Sequence, residues 1–384
     1  MMSVERIVIL YPGEINSERV SKPGNYSLSR MLIHLHERGY PPVYYLNQSG
    51  RHEQWGNIEF IHLTAGNLLK LVARLGRHRN TVILNQMGEY HLYTKMLRAI
   101  LPNSRVVVRL GGVYFKKDYL ESQAFRKEAR SHRRRLAVAD MIISTADGTP
   151  VDLYMEKVGV KPERYRKWLN GFPAIANDGP WERGNRIVCI SRLHRGKLVD
   201  YVLRSFALAL PRLSEPYSLT IVGDGPERDN LRALAQDLGV EPHVEFSGHS
   251  HDVGHYLYSS RLLLNGLTNN PMMEAIATGT PVITPEFGEV KALYGRFPNV
   301  HVVDGAHVGF GAGLAPDMEL LTRRTADTVV DVLNNYPSLD VTNLAGKSAL
   351  YSWEQRLKDE FDMYEELLAS APSTDLVPAA AGPQ

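Results

Sequence analysis

Short apolar runs alternate with segments of helical spacing through the first half of the chain. Residues 7–10, 43–46, 81–84 and 105–109 read as buried strands, and 26–37, 68–75 and 93–101 as the helices between them. Strands and helices in strict alternation make a parallel sheet with crossover helices. The same grammar restarts at 186–190 and runs on through 200–208, 218–222, 229–238, 243–246, 253–258, 261–264, 273–277 and 281–284. The pattern predicts an α/β protein of two Rossmann-like, doubly wound domains.

Between the two patterns, residues 170–185 contain Gly171, Pro173, Gly179, Pro180 and Gly184, too many breakers to continue either one. The expected division is therefore 1–172 for the first domain and 173–350 for the second. After Asn299 the pattern weakens. It returns at 351–368, where Trp353, Leu357, Phe361, Tyr364 and Leu368 stand at helical spacing. Residues 369–384 read as a disordered tail.

Composition narrows the setting. At 384 residues, with 43% hydrophobic and 22% charged, the chain is globular and large enough for two substantial cores. The single cysteine, Cys189, excludes an internal disulfide and a multi-cysteine metal site, and fits a reducing compartment. The first ten residues carry Glu5 and Arg6 and read as a first strand, not a signal peptide. No apolar stretch reaches the roughly 18–20 residues of a membrane span. The expectation is a cytoplasmic protein whose membrane contact, at the inner surface, is peripheral.

Net charge is +2, but the halves differ. Residues 1–172 hold 27 Lys and Arg against 15 Asp and Glu, a net of +12, which leaves 17 against 27, a net of −10, for the remainder. Six of the basic residues fall within 126–136, where Phe125, Ala129, His132 and Leu136 trace an inner stripe and leave Arg130, Arg133 and Arg134 on an outer basic face. Lys116 and Lys117 stand nearby, beside Tyr114. A solvated helix explains the pattern as well as a surface for phosphate-rich matter does.

Three blocks in the second half carry the candidate chemistry. Arg192 and Lys197 lie in a loop directly after a strand, where open α/β sheets bind ligands, either as an ordinary solvated basic loop or as two fixed cations suited to a diphosphate. Gly223-Asp224-Gly225-Pro226 follows the next strand, either as an ordinary turn or as backbone that approaches a ligand closely. Glu274 begins an otherwise apolar helix, as a helix-end carboxylate or as an acceptor for a sugar diol, with Asn269 and Asn270 at the helix entrance.

Each block alone is weak. In their order and spacing, R-L-x-x-x-K, then G-D-G-P, then E-A-x-A-x-G-x-P-V, they resemble the nucleotide-sugar-binding domain of retaining GT-B glycosyltransferases of the family 4 type (glycosyl transferases group 1). The resemblance covers 190–283 and implies that Arg192 and Lys197 hold the donor diphosphate and act as the catalytic cations, while Glu274 takes the ribose hydroxyls. It extends to Asn170-Gly171, as the motif before the interdomain crossing, and to 352–364, as a helix closing back on the first domain. Gly24 and Asn25 resemble the loop that covers the diphosphate. Gly223, Ser250, Asn269 and Asn270 complete the implied donor site. The co-substrate is a nucleoside-diphosphate sugar, with no other cofactor and no metal, in keeping with the lack of any Asp-x-Asp pair.

The chain departs from that family in three places. The first family glutamate falls at Gly266, Pro271 removes a backbone donor, and the usual histidine after the fourth strand has no counterpart, Arg109 standing near its place. On the acceptor side the resemblance and the basic half together imply an anionic partner contacted by Arg109, Tyr114, Lys116, Lys117, Arg130, Arg133 and Arg134. The candidates are a membrane-surface glycolipid or envelope glycan precursor, DNA bearing a hydroxymethylated base, and a small soluble acceptor. A pseudoenzyme that binds sugar or polyanion without catalysis is the fourth reading.

Overall fold

The computed structural model describes residues 4–14, 16–21, 27–48, 52–76, 79–113, 115, 117–146, 149–171, 182–250, 252–267, 270–286, 290–304, 318–336 and 352–370. Two sheets organise them. The first holds β1 (Arg6–Leu10), β2 (Val43–Asn47), β3 (Glu53–Trp55), β4 (Ile58–His62), β5 (Thr81–Gln86), β6 (Ser104–Leu110), β7 (Met141–Thr145) and β8 (Tyr165–Trp168), in the spatial order β3-β4-β2-β1-β5-β6-β7-β8. The second holds β9 (Gly184–Ile190), β10 (Ser218–Val222), β11 (Val244–Gly248), β12 (Ser260–Leu264), β13 (Val282–Pro285) and β14 (Val300–Val303), in the order β11-β10-β9-β12-β13-β14. Every pairing is parallel except β3 with β4.

Strand order reverses beside β1 in one sheet and beside β9 in the other. At such a switch point neighbouring crossovers leave in opposite directions and open a crevice at the carboxyl ends of the strands. Both sheets are covered on two faces, so their strands read as continuous apolar runs. β1 is buried throughout, including Arg6, whose Nε donates to Thr81 Oγ1 (2.6 Å) and whose Nη2 donates to Gly76 O (2.8 Å). These partners satisfy a charge that would otherwise be costly to bury.

The helix Trp353–Ala369 returns to the first sheet. Leu357, Met363, Tyr364 and Leu368 join the core formed by Ile7, Ile9, Val43, Val82, Val107 and their neighbours. Each such side chain contributes roughly 1.5–3 kcal/mol by leaving water. Ser352 caps the helix, accepting from Gln355 N at 3.1 Å. Its start crosses against Gly171, where an added Cβ would lie 2.4 Å from Trp353 Cα.

Several elements lay outside the apolar pattern. β3, β4, β7 and β8 were absent from it, and beyond Asn299 the chain forms β14 and the 17-residue helix Met318–Asn334. Most of the expected hinge and all of 371–384 lie outside the described residues; the closing helix runs to Ala369. Among the described residues no helix is long and apolar enough to cross a membrane.

Candidate active site

Arg192 and Lys197 both follow β9, at the switch point of the second sheet. The loop is tied down by backbone hydrogen bonds: Leu193 N donates to Asp224 O (2.9 Å), Glu227 N to Leu193 O (3.0 Å), and Lys197 N to His194 O (2.8 Å). A 3-10 turn over Arg195–Lys197 then leads through Leu198, held at φ +53°, into the helix Val199–Ala209. Arg192 is exposed and Lys197 half-buried. Burial, and then the Arg192 charge, push the Lys197 ammonium below its ordinary range. Among the described residues neither side chain has an acceptor. Two neighbouring cations without a counterion suit an anionic group.

The glycine at 223 has an internal cause. Its φ is +138°, and a Cβ there would meet Ser191 O at 1.9 Å. Only glycine lets the end of β10 lie against the loop after β9. That packing, and not necessarily a ligand, explains the residue, and it fixes the loop that carries Arg192. Gly266 is similar. A Cβ there would stand 2.4 Å from Lys197 O and 3.0 Å from Leu198 O, so the loop after β12 rests on the backbone of the 3-10 turn.

Glu274 is the fifth residue of the helix Asn270–Ala277, not its first, so the reading as a helix-end cap falls away. Asn270 begins that helix, with Pro271 in the first turn, where a missing N–H costs nothing. Burial pushes the Glu274 carboxyl up to about 7, opposed by the guanidinium of Arg30. Arg30 belongs to the helix Ser27–Arg38 of the first half, so the two halves present opposite charges to each other here. Ser250 accepts from Asp252 N at 3.1 Å and shapes the turn before the helix Val253–Tyr258. Gly24, Asn25 and Asn269 lie outside the described residues.

In the first half of the chain the acceptor candidates divide. Phe125, Ala129 and Leu136 are the buried stripe of the helix Gln123–Leu136, and His132 packs among Phe115, Phe125 and Tyr154. Arg130 and Arg134 are exposed, with Arg126 and Lys127. Arg133 is a correction to the expected face: its Nε donates to Val158 O at 2.7 Å and closes the end of the helix Val151–Val158. Tyr114 and Lys116 lie outside the described residues, as does the side chain of Lys117, which starts the short helix Lys117–Glu121.

Arg109 differs most from its expected role. It is buried on β6, with Nε 3.4 Å from Glu360 Oε1 and Nη2 3.4 Å from Glu360 Oε2 on the closing helix. Arg356 Nη1 donates to the same carboxylate at 2.9 Å, and the Tyr364 hydroxyl also hydrogen-bonds it. Burial alone would raise the Glu360 carboxyl, but Arg109 and Arg356 outweigh it and hold it below its ordinary range. Sequence reasoning missed Glu360 and Arg356. The signal was present: Glu360 lies on the inner stripe between Leu357 and Tyr364, and Arg356 precedes it by four residues.

Residues 184–306 match the model of the family described as "Glycosyl transferases group 1". Over that segment the chain is similar to this family. It is 39% identical over 80 residues, 20% of this chain and 23% of the relative, to the lipopolysaccharide core biosynthesis glycosyltransferase LpsE of Rhizobium meliloti. Over 184 residues, 44% of each protein, it is 27% identical to the GDP-mannose-dependent alpha-(1-6)-phosphatidylinositol monomannoside mannosyltransferase of Mycobacterium tuberculosis. The matches thus span less than half of either relative. The whole fold is GT-B: the structure of Anabaena HepE in complex with UDP and glucose superposes with a TM-score of 0.67, covering 94% of this chain and all of HepE at 14% identity.

Proposed function

We propose that the second domain holds a nucleoside-diphosphate sugar, and that the protein transfers the sugar to a hydroxyl of an envelope glycan or glycolipid precursor presented by the first domain. The observation that carries this reading is the uncompensated pair Arg192 and Lys197 at the switch point beside β9. A departing diphosphate gains charge as the glycosidic bond breaks, so preorganised cations stabilise the transition state more than the ground state. Glu274 takes the ribose diol, for which an ionised carboxylate offers two acceptor oxygens.

Transfer proceeds with retention of configuration, the departing diphosphate helping to accept the hydroxyl proton. The functions named for the two relatives, in lipopolysaccharide core biosynthesis and on a phosphatidylinositol monomannoside, favour an envelope acceptor over DNA. The exposed charges of Arg126, Lys127, Arg130 and Arg134 suit peripheral contact with an anionic surface.

The test is a donor-hydrolysis screen across UDP-, GDP- and ADP-sugars, repeated with anionic vesicles and with duplex DNA. One donor should be hydrolysed, and the protein should sediment with anionic vesicles but not neutral ones. Binding to no nucleoside diphosphate would overturn the donor assignment, and DNA binding without vesicle binding would move the acceptor to nucleic acid.

A further inference from the structure

Among the described residues Leu92 is the most exposed large hydrophobic, at 69%, and Met87 in the same loop is 47% exposed. The loop leaves the carboxyl end of β5 and starts the helix His91–Ile100. It is braced in this outward arrangement. Met87 N donates to Arg109 O (2.8 Å), Gln48 Nε2 to the Tyr90 hydroxyl (3.0 Å), and the Thr94 hydroxyl to Tyr90 O (2.8 Å) while it accepts from Asn85 Nδ2 (2.9 Å). Met87 is held at φ +62° and Gly88 at φ +70°. The left-handed region is unfavourable for a residue with a Cβ, so the surroundings impose this conformation on Met87.

This apolar tip stands beside the basic helix. Gly88 is buried against the end of Gln123–Leu136, where a Cβ would lie 3.5 Å from Arg135 Cβ. Glu89 is the one acidic residue of 87–100, and Arg135 Nη1 offsets it at 3.2 Å from Oε1. Leu97 of one helix and Phe125, Ala129 and Leu136 of the other belong to a single core on one face of the first sheet, so the exposed sides of the two helices look outward together. Of the exposed charged residues on these helices, Lys95, Arg126, Lys127, Arg130 and Arg134 are positive and Glu128 is negative. A single exposed leucine needs no explanation, but two apolar side chains held out beside a basic face match a bilayer bearing anionic lipids. The cations meet the headgroups and the apolar groups reach the acyl boundary.

We propose that the loop 87–92 inserts Met87 and Leu92 into the surface of an anionic lipid bilayer, with the basic helix lying on the headgroups. Met87 also lines a cavity of about 420 Å³ at the carboxyl ends of the strands of the first sheet, together with Tyr11, Leu28 and Trp168. Insertion therefore brings the mouth of that cavity to the membrane plane, where a lipid-borne acceptor lies. The role of the cavity rests on the glycosyltransferase reading; the insertion of the loop does not.

Leu92→Cys carrying an environment-sensitive fluorophore tests this in the whole chain. Cys189, the single native cysteine, is 1% exposed, so labelling is confined to the introduced thiol. Leu208→Cys is the control, at a position 46% exposed on the helix Val199–Ala209 of the second domain. With vesicles of phosphatidylglycerol and phosphatidylcholine, the fluorophore at 92 should shift to the blue and be shielded from iodide, and the one at 208 should stay in water. Neither should respond to vesicles of phosphatidylcholine alone. Leu92→Asp changes an exposed side chain, so it should melt as the wild type does and bind the anionic vesicles at least threefold more weakly. Sedimentation with no response at 92 would mean contact through charges alone, and a response at 208 contact through the other domain. A blue shift at 92 that grows with protein concentration in the absence of vesicles would mean an interface between copies. Each of these overturns the proposal, as does failure to bind the anionic vesicles. Nucleoside diphosphate affinity on the same samples reports the donor site separately, so the loop and the glycosyltransferase reading fail independently.

Discussion

The Arg109 guanidinium and the Glu360 carboxylate meet at 3.4 Å across 251 residues of chain, joining β6 of the first sheet to the helix that returns to it. Arg356 shares that carboxylate. Glu360 has no exposed surface, so Glu360→Gln would leave the buried Arg109 and the partly buried Arg356 guanidiniums with no shared countercharge. Stripping the partner from a buried ion pair typically costs about 3–5 kcal/mol. Urea unfolding should show a loss of that size; a change below about 1 kcal/mol would mean that the cluster is solvated. Because the folded carboxyl lies below its ordinary 4.5, its stabilisation is complete above that pH and is lost as pH falls through the lower folded value.

Glu274 has the opposite sign. Its carboxyl is pushed up to about 7, so it is largely protonated at pH 6 and largely ionised at pH 8. If the ionised form binds the ribose, nucleoside diphosphate affinity should rise about tenfold across that interval, the ratio of ionised fractions for a group of that pKa. Glu274→Gln should be weak and flat in pH, and Arg30→Ala should move the midpoint upward by removing the opposing charge. Stability of the free protein follows the reverse course: the unfolded carboxyl ionises first, so this residue lowers stability as pH rises from 4.5 to about 7. An affinity independent of pH in the wild type would remove Glu274 from the donor site.

The apolar pattern revealed the second sheet almost residue for residue, because five of its six strands are bounded by clear breakers or helical runs. It revealed less of the first. β4 interrupts its apolar run with Glu59, which is buried against Arg74 at 2.6 Å, and β8 reads Tyr-Arg-Lys-Trp at the sheet edge. In both cases a tertiary partner or an edge position permits charges that periodicity counts against a strand. Arg192 and Lys197 were legible as a pair of cations because they follow a strand within one loop. The Arg109, Arg356 and Glu360 cluster was not, since its members lie far apart in sequence and only the fold brings them together.

The place of the missing first glutamate is explained by contact. A side chain at Gly266 would collide with the carbonyls of Lys197 and Leu198, backbone atoms that cannot swing aside. Gly266→Glu is therefore expected not to restore a donor contact. It should cost roughly 1–3 kcal/mol through overpacking and weaken nucleoside diphosphate binding by displacing Lys197. Gly266→Ala should show the same effects in smaller measure. Tighter donor binding in Gly266→Glu, measured by calorimetry, would show that the turn accommodates the side chain.

Arg133 must be separated from its neighbours when the basic helix is tested. Arg133→Ser removes the donor to Val158 O and should cost about 1 kcal/mol of stability. Arg130→Ser and Arg134→Ser lose only exposed charges and should stay within about 0.5 kcal/mol of wild type. The double variant Arg130→Ser/Arg134→Ser is thus the informative one for membranes. It should reduce sedimentation with anionic vesicles and flatten the dependence on salt, while donor affinity stays unchanged. Vesicle binding equal to wild type at low salt would leave this face as a solvated helix.

Arg192 and Lys197 offer a test in which function and stability move in opposite directions. Burial first, and then repulsion from Arg192, lower the Lys197 ammonium, and among the described residues no carboxylate compensates the two cations. Removing either cation relieves that repulsion, so Arg192→Ala and Lys197→Ala should melt at or above the wild-type temperature. Turnover at saturating donor should nevertheless fall roughly a hundredfold in each, the usual consequence of losing one preorganised charge from a site where negative charge develops. The two losses should be less than additive in the double variant, because both cations act on one leaving group. A structural pair would behave otherwise, with turnover following stability. Near-normal turnover in both single variants would displace them from the chemistry, whatever their effect on melting.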